Sequence, residues 1–147
     1  MIAGAHTLRQ IKPVDPFVER GVIRGRSFGL SLAGYDIRHS FSCVVTPGMF
    51  RLGSSLEKFR MPRHLMGIVH DKSTWARQGL AVQNTVIEPG WEGYLTLEFT
   101  NHGRKNLFIE EGDPIAQVVF HFIDVPSGAY EGKYQNQGPD PQGALFE

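Results

Sequence analysis

The sequence predicts an all-β domain, a closed barrel or a jelly roll, on three observations. Short segments alternate apolar and polar residues with period two. Gly and Pro clusters punctuate them, 17 and 9 residues respectively. No apolar stripe is sustained over three helical turns, and no internal repeat is present.

Each element follows from local pattern. "TPG" (46–48), "EPG" (88–90) and "EEGDP" (110–114) read as turns. "HLMGIVH" (64–70) and "NLFIEEG" (106–112) read as strands on either side of the clearest one, "GYLTLEFTN" from Gly93 to Asn101. There Leu95, Leu97 and Phe99 are expected on one face, and Tyr94, Thr96, Glu98 and Thr100 on the other. "IAQVVFHFI" (115–123) is more continuously apolar, as in a strand buried on both faces. "DKSTWARQGL", Asp71 to Leu80, fits one short helical turn, capped by Asp71 or Ser73 and ended by a left-handed Gly79. The tail from Gly128, rich in Gly, Pro and Gln, reads as an arm, so residues 1–127 are assigned to the barrel and 128–147 to the arm.

Composition narrows the function classes. The 147 residues suffice for one core, and 41% are apolar. Fifteen Lys and Arg balance 15 Asp and Glu, which argues against a general nucleic-acid binder. No apolar run approaches the ~20 residues of a bilayer span. The N-terminal segment lacks the apolar core of a signal peptide. Cys43 is the single cysteine, so no internal disulfide forms and the cysteine-rich zinc sites are excluded. These features fit a cytoplasmic protein.

Chemistry concentrates at 71–80. Backbone amides at the start of a helical turn favour an anion, and Lys72 and Arg77 add charge and donors, so a phosphate site is one physical reading. A capped surface turn with solvated charges is the other.

Five segments in order resemble the dCTP deaminase branch of the trimeric dUTPase-like superfamily. "GYDIRHS" (34–40) resembles its Tyr-Asp-Ile-Arg motif, and "TPGMFRLGSSLEKFRMP" (46–62) its Pro-Gly-x-Phe strand and Glu-x-x-x-x-Pro stretch. "DKSTWARQGL" is similar to Arg-Ser-Ser-x-x-Arg-x-Gly. "IEPGWEGYLTLEFTN" (87–101) resembles the segment ending Leu-Glu-x-x-Asn, and "YEGKYQNQGP" (130–139) the closing arm. The resemblance implies a distorted β-barrel or jelly roll of the dUTPase-like type with short helical turns, assembled as a homotrimer with shared active sites. It implies deoxycytidine triphosphate (dCTP) as substrate, with Mg2+ carried by the triphosphate and no zinc, and hydrolytic deamination to dUTP and ammonia.

Deaminating cytosine needs water delivered to C4 and a proton relay to the leaving amine. The His-x-Glu and Pro-Cys-x-x-Cys segments of zinc deaminases are absent, so a carboxylate is expected as general base and acid. Glu98 matches the family position; by residue type alone it is an outward-facing strand glutamate. The resemblance assigns Ser73 to the catalytic water and the nucleotide, and Arg77 to the neighbourhood of the glutamate. Lys72 stands where many relatives carry arginine and loses the bidentate fork. Thr74 keeps the hydroxyl of the second family serine. Trp75 is expected to pack rather than stack on a base. Asn84 and Thr85 are expected beside the base, Val86 replaces a basic residue of some relatives, and Lys133 and Gln137 match positions that reach the triphosphate. Tyr130 and Tyr134 are expected to help close the arm. Asp36 and Arg38 are read as structural, and His39, His70, His102 and His121 as satisfied or surface histidines.

Two other classes remain open at this point. A dUTP diphosphatase of the same superfamily places an aspartate before the turn where Glu88 stands; Glu88 and Glu98 together would also admit a bifunctional enzyme. A nucleotide-binding trimer without catalysis is the third, since fold does not dictate function.

Overall fold

The computed structural model describes residues 1–146, and the chain is predominantly β. After a short helix α1 (Ala5–Ile11) come β1 (Val14–Asp15), β2 (Gly21–Ile23), β3 (Arg26–Leu30), β4 (Tyr35–Arg38), β5 (Cys43–Val45), β6 (Phe50–Arg60) and β7 (Leu65–Asp71). The turn α2 (Ser73–Ala76) leads to β8 (Leu80–Val82), β9 (Val86–Ile87), β10 (Glu92–Asn101), β11 (Leu107–Ile109) and β12 (Pro114–Phe122).

Three sheets form, all antiparallel. One runs β1-β6-β10-β8, one pairs β11 with β5, and the largest runs β2-β3-β4-β12-β7-β9. Consecutive strands are not always neighbours, so connections cross between sheets and enclose one core. Tyr35, Ile37, Phe59, Leu65, Leu97, Phe99, Ile115, Val118 and Phe120 are its centre, each at most 1% exposed. β12 is the spine of the largest sheet, flanked by β4 and β7, which explains its continuous apolar character. Pro114 stands at its first position, where a missing N–H does least harm.

β10 departs from strict alternation. Its register against β6 shifts between Tyr94 and Thr96, a β-bulge. Leu97 and Phe99 are fully buried as expected, whereas Leu95 is only half-buried and faces the same cleft as Thr96 and Glu98. The bulge leaves the Leu95 N–H without a ladder partner, and the buried Ser55 Oγ accepts it at 2.8 Å while donating to the Glu57 carbonyl at 2.7 Å.

Further expectations are corrected. The N-cap of α2 is Lys72, with no side-chain capping bond, rather than Asp71 or Ser73. Asp71 is engaged elsewhere, its Oδ1 accepting the Val82 N–H at 2.7 Å. Gly79 does take the left-handed conformation, φ +97°, and a Cβ there would lie 2.5 Å from the Gly103 nitrogen. Helix α1 carries no sequence signature of its own: Gly4 caps it without a side-chain bond, and Leu8 is its one buried residue.

Buried charges are paired. Arg38 Nε donates to Glu57 Oε1 at 2.8 Å, and the Arg38 N–H donates to Glu57 Oε2 at 2.9 Å. Lys72 Nζ donates to Asp36 Oδ2 at 2.8 Å. The structural reading of Asp36 and Arg38 therefore holds. His39 meets its reading in part: it is fully buried and its Nδ1 is hydrogen-bonded to the Phe41 carbonyl at 2.5 Å, but its Nε2 finds no partner among the described residues.

Candidate active site

A cleft of about 570 Å³ opens where β10 meets the tail. Phe50 and Leu52 of β6 form one wall, and residues 84–88 a second. Leu95, Thr96 and Glu98 of β10 project into it, with Trp91 alongside. Tyr130, Tyr134, Gln137, Gln142 and Ala144 of the tail close the remaining side.

Glu98 reaches the cleft because it lies on the half-exposed face of β10, opposite Leu52 on β6. Its carboxylate makes no hydrogen bond or ion pair with another described side chain. Burial beside apolar walls pushes its pKa above the ordinary glutamate value, and no nearby cation within the chain offsets that. The main chain beneath it is fixed by Asn84. Asn84 Oδ1 accepts the Glu98 N–H at 3.0 Å, and Asn84 Nδ2 donates to the Thr96 carbonyl at 2.7 Å. The side-chain amide thus imitates one residue of a pairing strand where β8 has ended. The Gln83 N–H continues the ladder to the Glu98 carbonyl at 2.9 Å.

The tail docks on its own barrel. The Tyr94 N–H donates to the Gln137 carbonyl at 3.0 Å, and the Asn136 N–H to the Glu92 carbonyl at 2.8 Å. Gly93 permits this approach: its φ is +152°, and a Cβ would meet the Gln137 nitrogen at 2.8 Å. Trp91 Nε1 donates to the Tyr134 carbonyl at 2.7 Å. Gln135 ties the loop together, accepting the Glu92 N–H at 2.7 Å and donating to the Gly90 and Tyr130 carbonyls at 3.0 and 2.8 Å.

The structure therefore brings together Asn84, Thr85, Glu98 and Gln137 among the sequence-predicted site residues, and Glu88 lines the same cleft. Ser73, Thr74 and Arg77 do not line it; all three are exposed on α2 and just after it. Lys72 is held by Asp36 with its side chain 11% exposed. Lys133 is exposed, its Nζ 5.7 Å from the Tyr134 ring centre, and also stands outside the cleft. The Gln137 amide is committed to the Tyr94 carbonyl at 3.1 Å and to Thr96 Oγ1. Trp75 packs as expected, 2% exposed, with Nε1 donating to the Pro114 carbonyl at 2.8 Å and the Arg26 guanidinium over its ring. Ser55, Thr96 and Trp91 were not singled out from sequence. Ser55 and Thr96 act through long-range hydrogen bonds that no local pattern encodes; Trp91 lay within a matched motif and was a legible signal.

A family model described as dCTP deaminase-like matches residues 18–123. A dCTP deaminase of Acidithiobacillus ferrooxidans is 35% identical, with 90% of each chain covered. One from Herpetosiphon aurantiacus is 37% identical over 84% of this chain and 86% of its own. Among solved structures, the 2′-deoxycytidine 5′-triphosphate deaminase of Agrobacterium tumefaciens superposes with a TM-score of 0.66 at 14% identity, covering 83% of this chain and 48% of that one. The dUTPase of EIAV gives a TM-score of 0.58 at 24% identity, over 70% and 86% of the two chains. These two structures establish a shared fold.

Proposed function

The chain belongs to the dCTP deaminase-like family, and from that premise we propose that it hydrolyses dCTP to dUTP and ammonia with Glu98 as general base and acid. The observation that carries the reading is Glu98 itself: a carboxylate without a partner among the described residues, on a fixed strand, in the cleft. Its carboxylate takes a proton from water as the oxygen attacks C4 of the cytosine. C4 becomes tetrahedral as the C4=N3 electron pair moves to N3; the same carboxyl returns the proton to the amino group, the C4–N bond breaks to release ammonia, and the remaining hydroxyl proton passes to N3 as the uracil carbonyl forms. Burial raises its pKa above the ordinary glutamate value, which favours return of the proton it has accepted.

Asn84 holds the Glu98 main chain, and the peptide groups around Thr85 face the space for the base. Ser73, Thr74, Lys72 and Arg77 serve a site completed by a neighbouring subunit, a reading supported by their position away from the cleft of their own chain. A homotrimer with shared sites provides that neighbour. In it Arg77 would lower the cost of ionising Glu98 and stabilise charge developing on the ring. Lys133 and Gln137 belong to the arm, residues 128–147, which encloses the nucleotide. Among the described residues no three His, Cys, Asp or Glu side chains converge as a metal site. Mg2+ is read as carried by the triphosphate substrate, as the family resemblance implies.

A second activity is favoured by one observation: Glu88 lines the same cleft as Glu98. A bifunctional enzyme would use Glu88 to activate water against phosphorus. The test of both is product analysis. With dCTP, wild type is expected to release ammonia and dUTP, and Glu98→Gln to lose at least ~10²-fold in turnover while retaining dCTP binding. Near-wild-type ammonia release by Glu98→Gln would remove Glu98 as the base. Pyrophosphate release abolished by Glu88→Gln would establish the diphosphatase activity.

A further inference from the structure

Thr96 sits two residues from Glu98 on the same strand and faces the same cleft. Its hydroxyl oxygen meets the tail twice: the Gln142 N–H donates to Thr96 Oγ1 at 2.9 Å, and Gln137 Nε2 donates to the same oxygen. A threonine hydroxyl has two acceptor positions, and two donors from the tail fill them. The Thr96 carbonyl is held from the other side by Asn84 Nδ2 at 2.7 Å. One residue therefore joins three parts of the cleft: the segment carrying Asn84, the strand carrying Glu98, and the tail.

We propose that Thr96 is a positioning residue that latches the C-terminal arm onto the strand bearing Glu98, so that the nucleotide enters a cleft whose arm wall is already ordered. The proposal rests on the deaminase reading for its kinetic consequence, while the latch itself is independent of any reaction. Tail segments of this composition, with Gly138, Pro139, Pro141 and Gly143 in succession, have little intrinsic order. Contacts that order the arm beforehand reduce what substrate binding must supply. Loss of the latch therefore raises KM more than it lowers kcat, since Glu98 keeps its Asn84 support. Serine retains the oxygen and its two acceptor positions; valine keeps the shape and removes both.

The test compares Thr96→Val and Thr96→Ser with wild type, full length, in two measurements. Hydrogen–deuterium exchange of the peptide containing Gln142, without nucleotide, is expected to quicken about tenfold in Thr96→Val and to return towards the wild-type rate in Thr96→Ser. Steady-state ammonia release from dCTP is expected to show KM raised about tenfold in Thr96→Val, with a smaller change in kcat and recovery in Thr96→Ser. Unchanged exchange in Thr96→Val overturns the latch, whatever the activity. Faster exchange with an unchanged or lower KM overturns the positioning role and makes the arm an obstruction. If wild type releases no ammonia from dCTP, the deaminase reading and the kinetic role built on it fail, and the exchange result still decides the latch.

Discussion

At Glu98 a carboxylate stands half-buried in a cleft it shares with Phe50, Leu52 and Leu95, with no cation among the described residues to hold it ionised. The folded state therefore resists its ionisation. Its penalty on stability is absent below the ordinary pKa of 4.5 and is fully present above the raised value. Glu98→Gln is expected to melt no lower than wild type at pH 7–8, despite its loss of activity.

His39 titrates the other way. Burial pulls its pKa from 6.5 down to about 4. Its neutral form contributes stability that is whole above the unfolded pKa and lost as pH falls through this window. The loss is on the order of 3 kcal/mol. Thermal melting from pH 7 to pH 4 is expected to show a steep decline that flattens in His39→Gln; equal slopes would dismiss His39 as its source. From sequence His39 was one histidine among six. Its burial and its unpaired Nε2 depend on β6 packing over it.

At the scale of the element, β10 was legible in outline and not in detail. The apolar positions Leu97 and Phe99 and the outward Glu98 follow from alternation alone. The bulge that swings Leu95 into the cleft does not, because its stabilising acceptor, Ser55 Oγ, lies 40 residues away in sequence. Ser55→Ala would leave the part-buried Leu95 N–H without its acceptor. An unfolding free energy lower by about 1–3 kcal/mol in urea denaturation is expected, together with reduced kcat as the Glu98 strand loosens. A neutral Ser55→Ala would mean that the bulge is held by other contacts. The turn α2 was found from its residue types, yet the acid read as its cap serves β8 instead. Two acceptors two residues apart cannot be ranked without knowing which N–H groups the fold leaves free. Helix α1 is not legible in the sequence because two turns burying one leucine give no periodic signal.

For the whole molecule, the sheets and the tail place one half of the predicted chemistry in the cleft and the other half on the surface. Glu98, Asn84, Thr85 and Gln137 face one space, while Ser73, Thr74 and Arg77 are exposed elsewhere. The motifs named these residues, but no motif states which chain supplies each to a given site. Complementation decides it. Glu98→Gln and Arg77→Ala are each expected to be inactive alone. When they are co-refolded in equal amounts as trimers, roughly a quarter of the sites would pair an intact Glu98 from one subunit with an intact Arg77 from the next. Ammonia release from dCTP is then expected to recover to about a quarter of wild type. Mixtures that stay as inactive as the separate variants would contradict a deaminase site built from Glu98 of one chain and Arg77 of another.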